Sequence, residues 1–519
     1  MKNHAIHLLA LVCLGLAITP ARAEPAADAL IRQTLEGQRN GCPELALSRD
    51  GSLRQQLARL YQPRAFRPLW NDPARRQQLQ EQLEALADDG LEPARYRLAS
   101  SGNPSCQDLR ASQAYLLALR HLALGRVDQD SLEPVWRAPG YSRKTPDLLK
   151  IARLGLEQPA EAFAPARPDL DLYRQLRQAH ARLRREPLPH WPDIPSGSPL
   201  KPDMQDLRVP LLEQRLAGHL DSPDSRASAA LHYYPALVTA LQHFQRQHGL
   251  QPDGVLGPAT RRALNTPFPA RLAQLRINLE RLRWMARDMD PDILLVNVAG
   301  ARLLDYRNGR LVWETRTQVG RAERATPLLK SAITRLTLNP TWTVPPTILR
   351  EDKLPKIRQN PGFLEKHQIR VLDAHGQPVN PARIDWSNPQ ALTLRQDAGP
   401  GNPLGQVVLR FANPFFVYLH DTPSQGLFSR APRAFSSGCV RVESARKLAD
   451  RLLTDPEKPV VKALLASGRT SQYSLAQPRP LLISYWTAEA DSQGEVRWLQ
   501  DIYQHDPALL AALEAASRE

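Results

Sequence analysis

Across residues 28–185 the apolar positions recur at three- and four-residue spacing: Leu53, Leu57, Leu60 and Tyr61, then Leu79, Leu83 and Leu86, then Leu116, Leu117, Leu119 and Leu122. That period puts each set on one face of a helix and predicts a mostly helical region. It is broken at Gly90-Leu91-Glu92-Pro93 and at Pro139-Gly140, where glycine and proline punctuate. Ala65-Phe66-Arg67-Pro68-Leu69-Trp70 reads as an anchoring aromatic turn, and nothing in the region has the look of a catalytic constellation. Residues 186–203, with Pro187, Pro189, Pro192, Pro195, Gly197, Pro199 and Pro202, read as a linker or a long surface connection. Between 233 and 264 the helical period returns in Tyr234, Leu237, Ala240, Leu241, Phe244 and Gln245. A C-cap signal follows at Gly249-Leu250, then a turn at Asp253-Gly254-Val255-Leu256-Gly257 and a second helix from Thr260 to Leu264. His243 and His248, five apart, do not share a helical face, which argues against a metal pair.

From residue 292 the period changes to two. Runs at 293–298 and 303–306 read as strands, Asn308-Gly309 as a hairpin turn, and further strands are expected at 311–313, 333–338, 407–411, 415–420 and 481–486. A more polar stretch between them, with a hairpin expected at Asp373-Ala374-His375-Gly376, reads as an insertion covering a cleft.

A chain of 519 residues exceeds one hydrophobic core, so two to four domains are expected. The N-terminus bears on the compartment. Lys2, an apolar run over 7–18 and Ala21-Arg22-Ala23 fit a secretory signal over residues 1–23, the alternative being a retained anchor helix. Cys13 lacks the small residue before it that a lipoprotein site needs, and no later run approaches the roughly 20 apolar residues of a membrane helix. The mature protein is therefore expected in the periplasm, without a transmembrane segment. The formal charge of +15 falls by two with Lys2 and Arg22. It suits either ordinary surface solvation or an anionic partner; export and the absence of any nucleic-acid motif exclude DNA and RNA. Three cysteines remain after cleavage. Cys42 and Cys106 share the N-terminal region, where a bridge between them is open, and Cys439 is left over. An odd thiol in an oxidising compartment is either buried and inert or kept for its chemistry.

Two segments favour chemistry. Tyr418-Leu419-His420-Asp421-Thr422-Pro423 ends an apolar strand, and Ser436-Ser437-Gly438-Cys439-Val440-Arg441 stands immediately before a helical pattern over 442–453. An unperturbed thiol is only a few per cent thiolate at neutral pH, so a nucleophile needs a base, a cation or a helix start beside it. His420, Arg441 and the following helix supply these on paper. Gly438 admits a substrate carbonyl, and backbone N–H groups of 437–439 would hold an oxyanion. Against this stands a packed core cysteine with a chance histidine nearby.

The same residues resemble the L,D-transpeptidase catalytic domain, whose signature is His-Gly-Thr followed by Ser-His-Gly-Cys-x-Arg or Asn. Asp421 stands where glycine is usual, and Ser437 where the second histidine is usual; the large periplasmic branch of the family carries the Ser-Ser-Gly-Cys form. Arg324-Ala325-Thr326-Pro327, Arg395-Gln396 and Gly401-Asn402-Pro403-Leu404-Gly405 are also similar to that branch. Phe244-Gln245, Gly249-Leu250, Asp253-Gly254, Gly257 and Thr260 resemble the peptidoglycan-binding domain-one family, a three-helix module.

The resemblance implies a multidomain α+β protein. Its parts would be a helical scaffold (24–225), the peptidoglycan-binding module (230–268), a β-rich catalytic domain (290–490) with a capping insertion (345–400), and a C-terminal segment (491–519). It implies an acyltransferase without cofactor or metal. Cys439 would attack the third residue of a tetrapeptide stem, and a meso-diaminopimelate amine would take the acyl group. His420 would act as base, oriented by the Asp421 carbonyl. Ser437, Gly438 and Arg441 would shape the oxyanion and donor site, with Tyr418 and Trp342 lining the cleft. Carbapenems would acylate Cys439. The rival outcomes are hydrolysis of the same acyl-enzyme, as in a carboxypeptidase or endopeptidase, and a non-catalytic wall-binding scaffold. Ser444-Ala445-Arg446-Lys447 matches S-x-x-K, but no K-T-G element accompanies it; no H-E-x-x-H set suggests a zinc amidase.

Overall fold

The structure is a computed structural model describing residues 27–37, 41–42, 45, 51–187, 191–220, 229–360, 362–387, 389 and 392–515. The expected signal over 1–23, with Cys13, lies outside the described residues. The chain divides into two compact units, one comprising residues up to 76 with 98–114, the other residues 77–97 with 115–519.

In the first unit the stripe Leu57, Leu60 and Tyr61 is buried along the helix Gly51–Tyr61. Cys42 and Cys106 form a disulfide with Cα atoms 5.5 Å apart. The aromatic turn is anchored from the helix that starts at Pro104. Asp108 accepts the backbone N–H groups of Leu69 and Trp70 at 3.0 and 2.6 Å, together with the Tyr61 hydroxyl. Trp70 donates its indole N–H to Ser112 at 2.8 Å. A buried carboxylate is tolerable only when so bonded.

The second unit begins with scaffold helices, among them Asp171–Arg185, whose Tyr173 and Arg177 join Arg167 around the buried carboxylate of Asp89. The helix Phe268–Ala286 is buried almost without interruption from Leu275 to Met285. Its charges are neutralised internally, Arg281 on Glu133 at 2.7 Å and Arg283 on Glu280 at 2.7 Å.

Three helices, Val209–Arg215, Pro235–Gln247 and Pro258–Leu264, form the small module. Its core includes Ile194 and Leu200, so the proline-rich stretch packs into the module as well as leading to it. Gln245 explains the module's signature. Its buried amide donates to Asp253, Val255 and Thr260 at 3.0 to 3.1 Å and accepts the Gly254 N–H at 2.9 Å. Gly249, at φ +59, lets Leu250 N–H return to the Gln245 carbonyl at 2.9 Å, the bonding of a Schellman cap. His248 stacks on Phe244, while His243 faces His219.

The β-rich region closes on itself. The strands run Leu329–Leu338, Ser471–Ser484, Ile293–Asn297, Arg302–Arg307, Arg310–Gly320, Val440–Val442, Leu419–His420 and Val407–Phe411, and the last pairs back onto the first. Alternate residues fill the interior, among them Leu294, Leu303, Leu336, Leu409, Leu419 and Val440. The insertion leaves after Leu338 and returns at Val407, two residues that pair across neighbouring strands. It has its own three-stranded sheet, Trp342–Thr343, Thr393–Gln396 and Ile369–Leu372. A separate core of Ile357, Leu364 and Leu394 lies beneath it. The turn expected at 373–376 is present, with Gly376 at φ +79 and its N–H on the Asp373 carbonyl.

Two expectations need correction. The strand expected over 415–420 shrinks to Leu419–His420, because the Asn413 side chain accepts the N–H groups of Phe415 and Val417 and winds 413–417 into a turn. The helix expected from 442 starts at Ala445, after the strand Val440–Val442. Val440 and Val442 are β-branched, and their strand is paired on both sides, Val440 with Leu419 and Val442 with Thr317, so the sheet claims them.

Candidate active site

The register of two short strands assembles the candidate site. Leu419–His420 pairs in parallel with Val440–Val442, Leu419 opposite Val440 and His420 opposite Arg441. Leu419 and Val440 point into the core. Their neighbours on the opposite face, Tyr418, His420, Cys439 and Arg441, therefore share the outer face, since strand side chains alternate. Neighbouring strands extend that face with Gln318, opposite Arg441, and with Arg410, whose guanidinium lies 5.2 Å from the Tyr418 ring centre.

Cys439 is a free, partly buried thiol. The imidazole of His420 is 4% exposed, and its Nδ1 lies 2.5 Å from the backbone carbonyl of Asp421. With Nδ1–H donated there, Nε2 carries the lone pair. Burial, helped by the Arg441 charge, holds the imidazole pKa down to about 3 against a weaker upward pull from the Asp421 carbonyl. Burial also pushes the Cys439 thiol up, more than the Tyr418 backbone, Arg441 and Arg410 draw it down. At neutral pH the pair is thus a thiol and a neutral imidazole. This corrects the expectation of a thiol acidified by a helix start: five residues separate Cys439 from Ala445, where the helix begins, and a helix dipole acts over its first turn only.

Gly438 is required by its backbone, at φ +109, and less by space, since an added Cβ would meet its nearest neighbour, Val417, at 3.5 Å. Its N–H is accepted by Ser436 Oγ at 3.1 Å and its carbonyl receives the Thr326 hydroxyl at 2.9 Å. One of the amides expected to hold an oxyanion is therefore already engaged. Ser437 Oγ accepts from Arg324 at 2.9 Å, and Arg324 is itself fixed on Asp352 of the insertion at 2.7 Å. Arg441 donates to Gln318 at 3.1 Å.

The Asp421 side chain fills the space beside Gly405. Its Oδ2 accepts the Gln406 N–H at 2.9 Å, and a Cβ on Gly405 would lie 2.3 Å from that oxygen. Trp342 is 7% exposed and belongs to the insertion's core, against which Tyr418 also packs.

Sequence reading overlooked Arg410, Gln318 and Tyr503. Tyr503 donates to the Gly320 carbonyl at 2.6 Å and accepts the Thr326 N–H at 3.0 Å, bracing the wall beside Gly438. Lying far apart in the chain, these residues carry no local motif. No cluster of three metal-ligating side chains occurs among the described residues, and none of their helices is long and apolar enough to cross a membrane.

Residues 291–461 match the family described as "L,D-transpeptidase catalytic domain", residues 55–179 one described as "Scaffold domain", and residues 205–264 one described as "Putative peptidoglycan binding domain". A Haemophilus influenzae protein named "Putative L,D-transpeptidase" is 37% identical over 244 residues, 45% of this chain. The match spans about half that relative's length, 48%. Among solved structures, an L,D-transpeptidase from Mycobacterium smegmatis is 11% identical over 37% of this chain and 58% of its own, at a TM-score of 0.18. One from Xylanimonas cellulosilytica is 17% identical over 58% of this chain and 100% of its own, at 0.19. Scores of that size establish no common overall fold.

Proposed function

Because residues 291–461 match the L,D-transpeptidase family and residues 205–264 a peptidoglycan-binding domain, we propose that the chain is a periplasmic L,D-transpeptidase, exported by residues 1–23, with Cys439 as nucleophile. The observation that supports this reading is the register of Leu419 on Val440 and His420 on Arg441, from which Cys439 and His420 share one face of the sheet, with His420 Nδ1 2.5 Å from the Asp421 carbonyl. Such an imidazole accepts a proton only at Nε2, and it is unprotonated there throughout the physiological pH range.

The sulfur attacks the carbonyl of the third residue of a tetrapeptide stem while His420 takes the thiol proton. Collapse of the tetrahedral adduct breaks the bond to the fourth residue, and His420 returns the proton to the departing D-alanine amine. A thioester remains on Cys439. The side-chain amine of meso-diaminopimelate in a second stem then attacks the thioester and loses a proton to His420, and the thiolate leaves and is reprotonated. The product is a crosslink between two third-position residues. Arg441 and Arg410 lie on the same face and oppose the charge that develops at sulfur and oxygen. Ser437, held by Arg324, borders the donor. A carbapenem carbonyl would enter by the same attack.

Intact-mass spectrometry with a carbapenem and product analysis with disaccharide-tetrapeptide test this. The wild-type chain should gain one adduct and form crosslinked dimer with loss of D-alanine; Cys439→Ala should do neither. Crosslinking retained by Cys439→Ala would end the proposal. Free tripeptide in place of dimer would transfer the acyl group to water and convert the reading to a carboxypeptidase.

A further inference from the structure

The matched catalytic family ends at residue 461, yet a segment well beyond it reaches the loop that carries Cys439. The connection is a chain of hydrogen bonds through Thr326. The Thr326 hydroxyl donates to the Gly438 carbonyl at 2.9 Å and accepts the Gly320 N–H at 2.8 Å. A threonine hydroxyl has one hydrogen to give, so these two bonds fix its direction. The backbone N–H of Thr326 donates to the Tyr503 hydroxyl at 3.0 Å, and that hydroxyl donates to the Gly320 carbonyl at 2.6 Å. Tyr503 thus ties together both ends of the turn 320–326. The turn has no slack: a Cβ on Gly320 would lie 2.2 Å from the Arg324 carbonyl oxygen and 2.8 Å from the Thr326 nitrogen.

Tyr503 is itself held in place. Its ring stacks on Tyr485 with centres 5.7 Å apart, and its backbone N–H donates to the Tyr485 hydroxyl at 3.2 Å. The Tyr485 hydroxyl donates to Asp501 at 2.6 Å, and Asp501 accepts the N–H groups of His505 and Asp506 at 3.0 and 2.8 Å. Asp506 in turn pairs with Arg281 of the buried helix Phe268–Ala286. Burial keeps the Tyr503 phenol above its ordinary pKa, against a smaller pull from Thr326, so it remains a donor at neutral pH.

What this chain of bonds restrains is a peptide plane. The Gly438 carbonyl and the Cys439 N–H belong to one planar trans unit and point in opposite directions. A bond that fixes the carbonyl therefore fixes the direction of the N–H. Gly438, at φ +109, has no Cβ, so sterics alone restrain that plane weakly.

We infer that Tyr503 is a positioning residue for the acylation of Cys439. Acting through Thr326, its hydroxyl holds the Gly438–Cys439 peptide so that the Cys439 N–H is aimed at the developing oxyanion. The inference rests on the proposed reading of Cys439 as nucleophile. A donor to the oxyanion is used in the tetrahedral adduct rather than in the bound ground state. Its misplacement therefore slows acylation and leaves affinity alone. The C-terminal segment gains a part in the reaction, although it brings no group to the substrate.

The test uses the full chain and follows carbapenem acylation by intact mass over a range of drug concentrations, which separates the limiting rate from the apparent affinity. Tyr503→Phe removes the hydroxyl and keeps the ring on Tyr485. It should lower the limiting rate about ten- to hundredfold and leave the affinity unchanged. Thr326→Val, which lacks the hydroxyl at nearly the same volume, should show a similar loss, and Thr326→Ser, which keeps it, should react like the wild type. The losses should not add in the double variant of Tyr503→Phe and Thr326→Val, because both break one chain of bonds. Tyr173→Phe removes a fully buried hydroxyl from Asp89, away from Cys439. It should lower the melting temperature at least as far without slowing acylation. An unchanged limiting rate in Tyr503→Phe would overturn the inference, as would an equal loss in Tyr173→Phe or a loss confined to affinity. The two readings fail distinguishably. A wild-type chain that takes no adduct defeats the nucleophile and the positioning together. Equal limiting rates in the wild type and Tyr503→Phe defeat the positioning alone.

Discussion

Gly405 and Asp421 are a matched pair, and a double-mutant cycle measures the match. Gly405 sits at φ +60, and a Cβ there would come within 2.3 to 2.5 Å of the Asp421 carboxylate and Cβ. Gly405→Ala therefore adds left-handed strain of about 1.5 kcal/mol to an overlap costing about 2 kcal/mol, a destabilisation of about 3.5 kcal/mol. Asp421→Gly removes the bond to Gln406 N–H, about 1 kcal/mol, and loosens the backbone by slightly less, about 2 kcal/mol together. In the double variant the overlap is gone and the other contributions remain, so it should lose about 3.5 kcal/mol where additivity gives about 5.5 kcal/mol. A coupling of about 2 kcal/mol is expected from urea unfolding of the four proteins. Carbapenem acylation supplies a second readout. Because the Asp421 carbonyl holds His420, Gly405→Ala should slow acylation and Asp421→Gly should restore part of the rate. Additivity of the two substitutions within about 0.5 kcal/mol would refute the steric argument.

Gln245→Leu leaves the Gly254 N–H and the Thr260 hydroxyl without their buried partner and should destabilise the module by about 2 to 4 kcal/mol, read as faster hydrogen exchange over residues 235–264. His420 is neutral when folded, with its pKa held near 3. The unfolded chain takes up that proton below about 6.5, so the stability it contributes is complete above pH 6.5 and declines as pH falls toward 3. The loss at pH 5 is about 2 kcal/mol. His121 and His248 act in the same direction, so thermal scans should show a drop between pH 7 and 5 that is smaller in His420→Gln. Cys42→Ser opens a disulfide closing 64 residues and should cost about 4 kcal/mol by loop-closure entropy. An unchanged unfolding midpoint on reduction of the wild-type chain would contradict it.

Much of this protein was legible because its signals are local. The change of period at residue 292, the Asn308-Gly309 turn and the helix stripes each live within a few residues. So does the Gln245 network, whose members span 245–260. The helix Phe268–Ala286 was missed because it has no polar face: burial on nearly all sides, with arginines cancelled by distant carboxylates, erases the amphipathic period. The segment before Ala445 misled because Val440–Val442 obeys strand partners remote in sequence. The pair Cys439 and His420 could be nominated, but their protonation could not, since the burial that raises the thiol against Arg441 and lowers the imidazole together with it exists only once the sheet is folded. Arg410 became visible only through strand register, and Tyr503 only through its bonds to Gly320 and Thr326.

The junctions of the insertion bear on how such a site changes over time. Leu338 and Val407 are cross-strand partners, their Cα atoms about 5 Å apart, so the chain leaves the closed sheet and re-enters at almost one point. A segment grafted at such a point adds little loop-closure penalty, and doubling its length costs only about 0.6 kcal/mol. The insertion can therefore be lengthened, trimmed or exchanged while the ring of strands that positions Cys439 and His420 is left undisturbed. Selection can alter the insertion without reopening the question of how Cys439 and His420 are held.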